Sequence, residues 1–326
     1  MSEKYNSWTP STPSHQVSAP NIADLATTRD LVIRMPGGVK VHRGASEKLR
    51  SDNNVTRKRK AKVTVDIFQS EHLDEGNRIA RAIRAAHKKP TLSGVGKERI
   101  LMNTLAIEYD ETMSAHGSEL TAMMDKFFYS LGHLRHKWVS EGGKLADNGE
   151  YIDASGKSTG VRWPTEDECR SKFKLDIIPG TIQDIDDIRF GGLPESLRDR
   201  FKNDVIAVQE RRFNGMVADM SLRVSESLER VVDRMKEYGV DENGKVVGKF
   251  TDTLIPNVRE IAGLLSHFNI TNDPNIEDIR RRLVTEICNV DENKLRDDPS
   301  LRKSLGGSAE DILSRLSSFS NIHKKD

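Results

Sequence analysis

The sequence predicts a mainly α-helical protein: a long antiparallel helical hairpin, coiled-coil-like, carrying a small α+β cap and followed by C-terminal helices. Three observations carry that reading. From Pro194 to Gly239 apolar residues recur every three or four positions, as in Leu197, Phe201, Val205, Val208 and, further on, Val224, Leu228, Val231 and Met235. That spacing lays one stripe along one face of a helix. From Lys97 to about Glu141 the same spacing returns over nearly the same length, through Leu101, Leu105, Tyr109, Met113, Leu120, Met124, Phe127, Leu131 and Trp138. Composition agrees: of 326 residues 36% are hydrophobic, 31% charged and only 6% aromatic, which suits slender, half-exposed helices better than a thick β-sandwich core.

The second long helix is bounded by Pro194, which suits a first helical position, and by Gly239, which suits the left-handed residue after the last turn. At 1.5 Å per residue it would run roughly 65–70 Å, and so exposed a stripe needs a partner. The upstream helix supplies one of matched length.

In chain order, 1–28 is rich in Ser, Thr and Pro without a period and is expected to be a flexible arm. Residues 29–92 form a small basic strand and helix region. There Leu31–Met35 and Val39–His42 flank Pro36-Gly37-Gly38 and read as a hairpin, Val63–Phe68 alternates as a third strand, and His72–Lys89 is a basic helix stopped by Pro90. The first long helix occupies 93–143. In the insert 144–193, Glu150–Trp163 reads as a hairpin turning at Ser155-Gly156-Lys157, and Thr165 with Glu168 forms a capping box. Phe173–Phe190 is strand-like, with a turn at Ile177-Ile178-Pro179-Gly180. The second long helix spans 194–239. In 240–326 a helix runs from about Asp252 to Phe268, Asp273 caps another with Pro274 in its first turn, and Ser308 caps a last one.

The 51 basic and 50 acidic residues give no overall field, so any affinity for nucleic acid has to come from a local patch. No apolar run approaches the ~20 residues of a membrane span and the N-terminus is polar, so a cytoplasmic protein without membrane contact is expected. Cys169 and Cys288 lack metal or redox spacing and read as reduced thiols.

Several motifs invite chemistry and fail on spacing. Ser93-Gly94-Val95-Gly96-Lys97 lacks the first glycine and the terminal Ser/Thr of a phosphate loop, and is expected to be a flexible turn entering the long helix. His133 and His136 have no third ligand at matching height, Asp184, Asp186 and Asp187 have no acidic partner cluster, and Asp241-Glu242-Asn243-Gly244 puts its glycine too early for calcium. No catalytic, cofactor or metal residue is assigned. The best signal is electrostatic: Arg57, Lys58, Arg59, Lys60 and Lys62, then Arg78, Arg81 and Arg84 on the following helix, could neutralise phosphates without reading sequence. Gly117 and Gly215 fall near one height of the expected hairpin, as a hinge or a close helix crossing would require, or as tolerated surface glycines.

Trp163-Pro164-Thr165-Glu166-Asp167-Glu168-Cys169-Arg170-Ser171-Lys172-Phe173, the long helix after Leu193-Pro194, and Phe268-Asn269-Ile270-Thr271-Asn272-Asp273-Pro274 resemble a bacterial and phage family with a domain of unknown function. Its members are often encoded beside AAA+ ATPases of the MoxR/cobaltochelatase-small-subunit kind. The resemblance covers about residues 30 to 320 and has no catalytic residues to carry over. It implies a non-catalytic protein-interaction component, phage-encoded, that acts with an AAA+ ATPase as adaptor or assembly partner. A nucleic-acid-binding accessory protein using 57–89 and a phage structural or assembly protein are the rival readings, and a second copy of the chain is a further candidate partner.

Overall fold

A computed structural model describes residues 21–37, 39–41, 43–53, 61–62, 64–66, 70–152, 156–187, 191–240, 246–247 and 253–322. The chain divides into two compact units, one from Ala26 to Thr181 and the other made of the stretch up to Leu25 together with Ile182 onward. The fold is mostly helical with a small antiparallel sheet, as expected.

The first unit is organised by β1 (Ala26–Arg34). After it come β2 (Val39–Val41), α1 (Arg43–Asp52), β3 (Thr64–Asp66) and α2 (Glu71–Lys88). The expected β1–β2 hairpin does not form. β2 pairs with β3, while β1 serves as an interior strand with more distant partners. α1 is absent from the sequence-based expectation, because its ten residues carry little apolar stripe and Leu49 stays 39% exposed. α2 matches expectation, opened by Ser70, whose hydroxyl accepts from the Leu73 N–H.

β4 (Thr91–Ser93) and β5 (Arg99–Met102) make a hairpin where the periodicity predicts the start of the first long helix. Ser93–Lys97 is indeed a turn, closed by Gly94 N–H donating to Glu98 O at 3.0 Å with Gly96 at φ +67°, but it joins strands. Ile100, Leu101 and Met102 are all buried. A short apolar run covered on both faces has no period to separate strand from helix. The helix, α3, therefore starts only at Ala106 and runs to Ser140.

β6 (Glu150–Ile152) and β7 (Ser158–Arg162) pair as predicted, and Tyr151, Trp163 and Trp138 of α3 cluster beside them. The Thr165 capping box opens α4 (Glu166–Arg170), also as predicted. Arg170 ties α4 to α3 through Asp125 at 3.1 Å and lies 4.4 Å from the Phe128 ring centre. Residues 177–180, with the composition of a turn, instead belong to β8 (Lys174–Gly180), antiparallel to β1 with Leu31 opposite Ile177. Pro179 is tolerated because β8 is an edge strand, where a missing N–H breaks no ladder. The sheet order is β4-β5-β1-β8.

The second unit holds α5 (Glu195–Glu237), the short pair β9 (Gly239–Val240) and β10 (Val246–Val247), α6 (Leu254–Phe268), α7 (Pro274–Arg282) with a π-helical extension to Cys288, α8 (Glu292–Asp297) and α9 (Pro299–Ile322). α9 begins well before Ser308. Asp298 accepts from the N–H groups of Ser300 and Leu301 and Pro299 follows it, so the true cap is an Asp-Pro pair. Ser308 lies inside the helix and hydrogen-bonds Glu286.

The long coiled-coil-like hairpin is not confirmed. α3 packs its stripe against α2, and α5 packs its own against α9 and α6. Gly76 of α2 marks the first contact: a Cβ there would lie 3.0 Å from Met124 Sδ and 3.3 Å from Met35 Cε. In the other unit, Gly306 of α9 lies against Met235, and Lys236 pairs with Glu310 at 2.7 Å. Residues 21–25, expected to belong to a flexible arm, contain a 3-10 turn held by buried Gln209, which accepts from Ile22 N–H and donates to Asn21 and Gln183. The rest of that arm, 1–20, lies outside the described residues.

Candidate interaction surface beside the sheet edge

β8 ends the sheet, and among the described residues it pairs only with β1. Its two faces differ. Leu175 and Ile177, alternate residues, point to α3, while Lys174 and Asp176 pair at 2.6 Å on the other face near Ile178, 48% exposed. Lys174 and Pro179 guard the ends of the strand in the way that protects an edge from indiscriminate pairing, leaving Leu175–Ile178 between them.

Beside this edge runs a groove of about 600 Å³ lined by Leu175, Ile177, Met113 and the small residues Ser114, Gly117, Ser118, Thr121 and Ala122 of α3, with Asp125 at one end. Met113 belongs to the buried stripe of α3, while the small residues and Asp125 lie off it, on a flank of the helix. The same flank carries Ile107, 77% exposed, and Tyr129, 80% exposed. Ile107 and Tyr129 are separated by about 33 Å along the helix axis. Large apolar side chains so exposed on the flank that carries a small-residue groove mark a surface suited to contact.

Gly117 belongs to this groove and shows no close helix crossing. A Cβ at Gly117 would meet only Leu175 Cδ2, at 3.4 Å, an ordinary van der Waals distance. Gly215 is half-buried in α5, in the other unit. In the first unit a close helix contact falls instead at Gly76, which its place in a basic helix does not announce.

Of the basic residues singled out, Arg57, Lys58, Arg59 and Lys60 lie outside the described residues, and Lys62 is exposed. Arg78 is engaged by Glu75 at 2.6 Å and approached by Glu119 at 3.9 Å. The hydrogen bond from Arg78 holds the Glu75 carboxyl below its ordinary range. Arg81 and Arg84 are exposed on the same flank of α2, and an Arg84 Nη contacts Ile33 O at 3.5 Å.

The metal readings are not brought together. Among the described residues no group of three or more His, Cys, Asp or Glu side chains could hold an ion. Asp184 accepts from Asn21 and from the Asp186 N–H, Asp186 pairs with Lys202 at 2.9 Å, and His133 and His136 are exposed. The calcium-loop candidate 241–244 lies outside the described residues. Both cysteines are free and buried, and burial pushes the Cys288 thiol up.

One polar network has no counterpart among the sequence-based candidates. His87 Nδ1 and the Tyr109 hydroxyl lie 2.8 Å apart in the core between α2 and α3. Thr91 Oγ1 donates to His87 O at 2.7 Å and accepts from Arg99 Nε at 3.0 Å, while Arg99 also reaches Lys88 O. Burial drives His87 down to about 4, helped by the Arg99 charge, and lifts Tyr109 to about 12. A neutral imidazole and a neutral phenol are thus fixed where α2 ends against the β4–β5 hairpin. The available signal is position: His87 falls four residues after Ile83 and eight after Ile79, on the buried stripe.

No family model matches this chain, and comparisons with curated proteins and with solved structures return no match.

Proposed function

We propose that this chain is a non-catalytic protein-interaction component that works with an AAA+ ATPase of the MoxR-like kind. The observation that supports it most is the open groove between α3 and β8, walled by Leu175 and Ile177, floored by small residues and continued by exposed Tyr129. Such a surface takes up apolar side chains of a partner without having to displace large ones of its own. The choice of an ATPase as that partner, and a phage as the source, rest on the family resemblance alone.

The test is co-expression of the full chain with a MoxR-like ATPase encoded beside it, followed by affinity capture. The chain is expected to retain the ATPase, and Ser118→Arg, at an exposed groove position, is expected to release it while circular dichroism stays unchanged. Absence of capture by the unmodified chain overturns the ATPase assignment. Capture that Ser118→Arg leaves intact overturns the role of the groove.

A second reading, nucleic-acid binding, is supported by the exposed Arg81 and Arg84 beside Arg78 on α2. It requires binding that weakens as salt rises, with no dependence on sequence.

A further inference from the structure

We infer that the partner segment of this surface is an extended strand, added to the free edge of β8 as a fifth strand of the sheet. This rests on the reading of the α3–β8 groove as a protein-interaction surface, and it names the conformation and side-chain pattern of what binds there. The carrying observation is the edge itself. β8 pairs with β1 over seven positions, from Arg34 opposite Lys174 to Thr28 opposite Gly180, and on its other side no described strand meets it. An interior strand uses main-chain groups on both sides; an edge strand leaves half of them facing outward. A helix has already satisfied its own main chain and offers nothing to such an edge, whereas an extended peptide pairs with it directly.

The opposite edge is a poor competitor. β4 has only three residues, and its Thr91 and Leu92 are fully buried. β8 has seven, with Ile178 and Pro179 exposed.

The groove gives the side-chain pattern. Leu175 and Ile177 point to α3, and a strand added beside β8 presents its own alternate residues to that face. Those residues would slide beneath Gly117, Ser118 and Thr121, where about 600 Å³ is open and the walls are apolar. Their neighbours would fall beside Lys174 and Asp176, which carry opposite charges on the other face. The segment recognised therefore has apolar residues at every second position and polar or charged residues between. Pro179 cannot donate to a ladder, which confines pairing to about Leu175–Ile178 and favours a short motif.

The experiment selects binders from a displayed library of random dodecapeptides against the full chain, then measures synthetic copies of the enriched peptides. The expected motif alternates apolar and polar residues over four or five positions. N-methylation of one main-chain nitrogen within it is expected to weaken binding at least tenfold, and bound peptide is expected to slow amide exchange at 175–178. Thr121→Trp, which fills the groove from an exposed helix position, is expected to abolish binding with the fold retained. Peptides that depend on Thr121 but carry apolar residues at helical spacing, and leave exchange at β8 unchanged, overturn strand addition and leave the interaction surface standing. Enrichment insensitive to Thr121→Trp and Ser118→Arg, or no enrichment, overturns both.

Discussion

His87 makes the first unit sensitive to acid over a defined range. Its side chain is 7% exposed, with Nδ1 2.8 Å from the Tyr109 hydroxyl, and its pKa falls from 6.5 to about 4 on folding. The unfolded chain therefore binds a proton between pH 6.5 and 4 that the folded chain refuses, and stability rises with pH across that window. The contribution is fully present above 6.5, is lost as pH falls toward 4, and changes no further below it. Lowering a pKa by one disfavours the charged form by about 1.36 kcal/mol, so the whole effect is about 3 kcal/mol, of which about 2 kcal/mol is lost between pH 7 and pH 5. The assay is urea unfolding, followed by circular dichroism, at pH steps of about 0.5 from 7 to 5. Over this range ordinary carboxylates stay mostly ionised, and the difference from His87→Gln isolates this one of the nine histidines. His87→Gln removes the titration, so its unfolding free energy should be lower at pH 7 yet nearly flat down to pH 5. Tyr109→Phe should cost about 1–3 kcal/mol by leaving the buried ring nitrogen without its partner. A wild-type slope no steeper than that of His87→Gln refutes this account, because burial would then not be holding the imidazole neutral.

The remaining predictions concern packing and charge. Gly117→Ala should raise stability by several tenths of a kcal/mol, up to about 1, because helix propensity improves while the new methyl sits 3.4 Å from Leu175 Cδ2. Gly76→Val should lower it by about 1–3 kcal/mol, since even the first carbon would lie 3.0 Å from Met124 Sδ and the branches need room that α3 occupies. Thr165→Ala should cost about 1 kcal/mol in urea unfolding by removing the acceptor for the Glu168 N–H. If α2 touches nucleic acid, replacing Arg78, Arg81 and Arg84 with Ser should weaken binding on every sequence tested and flatten its dependence on salt; unchanged binding removes α2 from that role.

Helical periodicity reveals α2, α3, α5 and α6 from the sequence because a stripe of apolar residues records that a face is covered. It does not record what covers it. The apolar periodicities over 97–141 and 194–239 match in length and spacing, which makes each the obvious partner of the other. α3 instead lies against α2, where Gly76 allows close approach to Met124, and α5 lies against α9. The stripe of α9 is also present, in Leu305, Ala309, Ile312 and Leu316. Gly306-Gly307 interrupts it, and Ser308 has the chemistry of a cap, which together hide the Asp298-Pro299 start. Two glycines inside a helix cost it propensity, and here Gly306 sits against Met235 Cβ at 3.5 Å, close to the α5 backbone.

The candidate surface is less legible for a related reason. Ile177-Ile178-Pro179-Gly180 carries the local chemistry of a turn, and only its place at the end of the sheet makes it a strand. β1 lies more than 140 residues earlier, so no local signal announces that Arg29 will face Pro179. Ser114, Gly117, Ser118 and Thr121 likewise read as unremarkable positions between the apolar residues of a helix. They become a groove floor only when Leu175 and Ile177 arrive beside them. A helix flank without bulk and a strand edge without a partner are each ordinary features. Joined along one line, they set an edge that no described strand meets beside open apolar space, which is what the proposed extended segment would use.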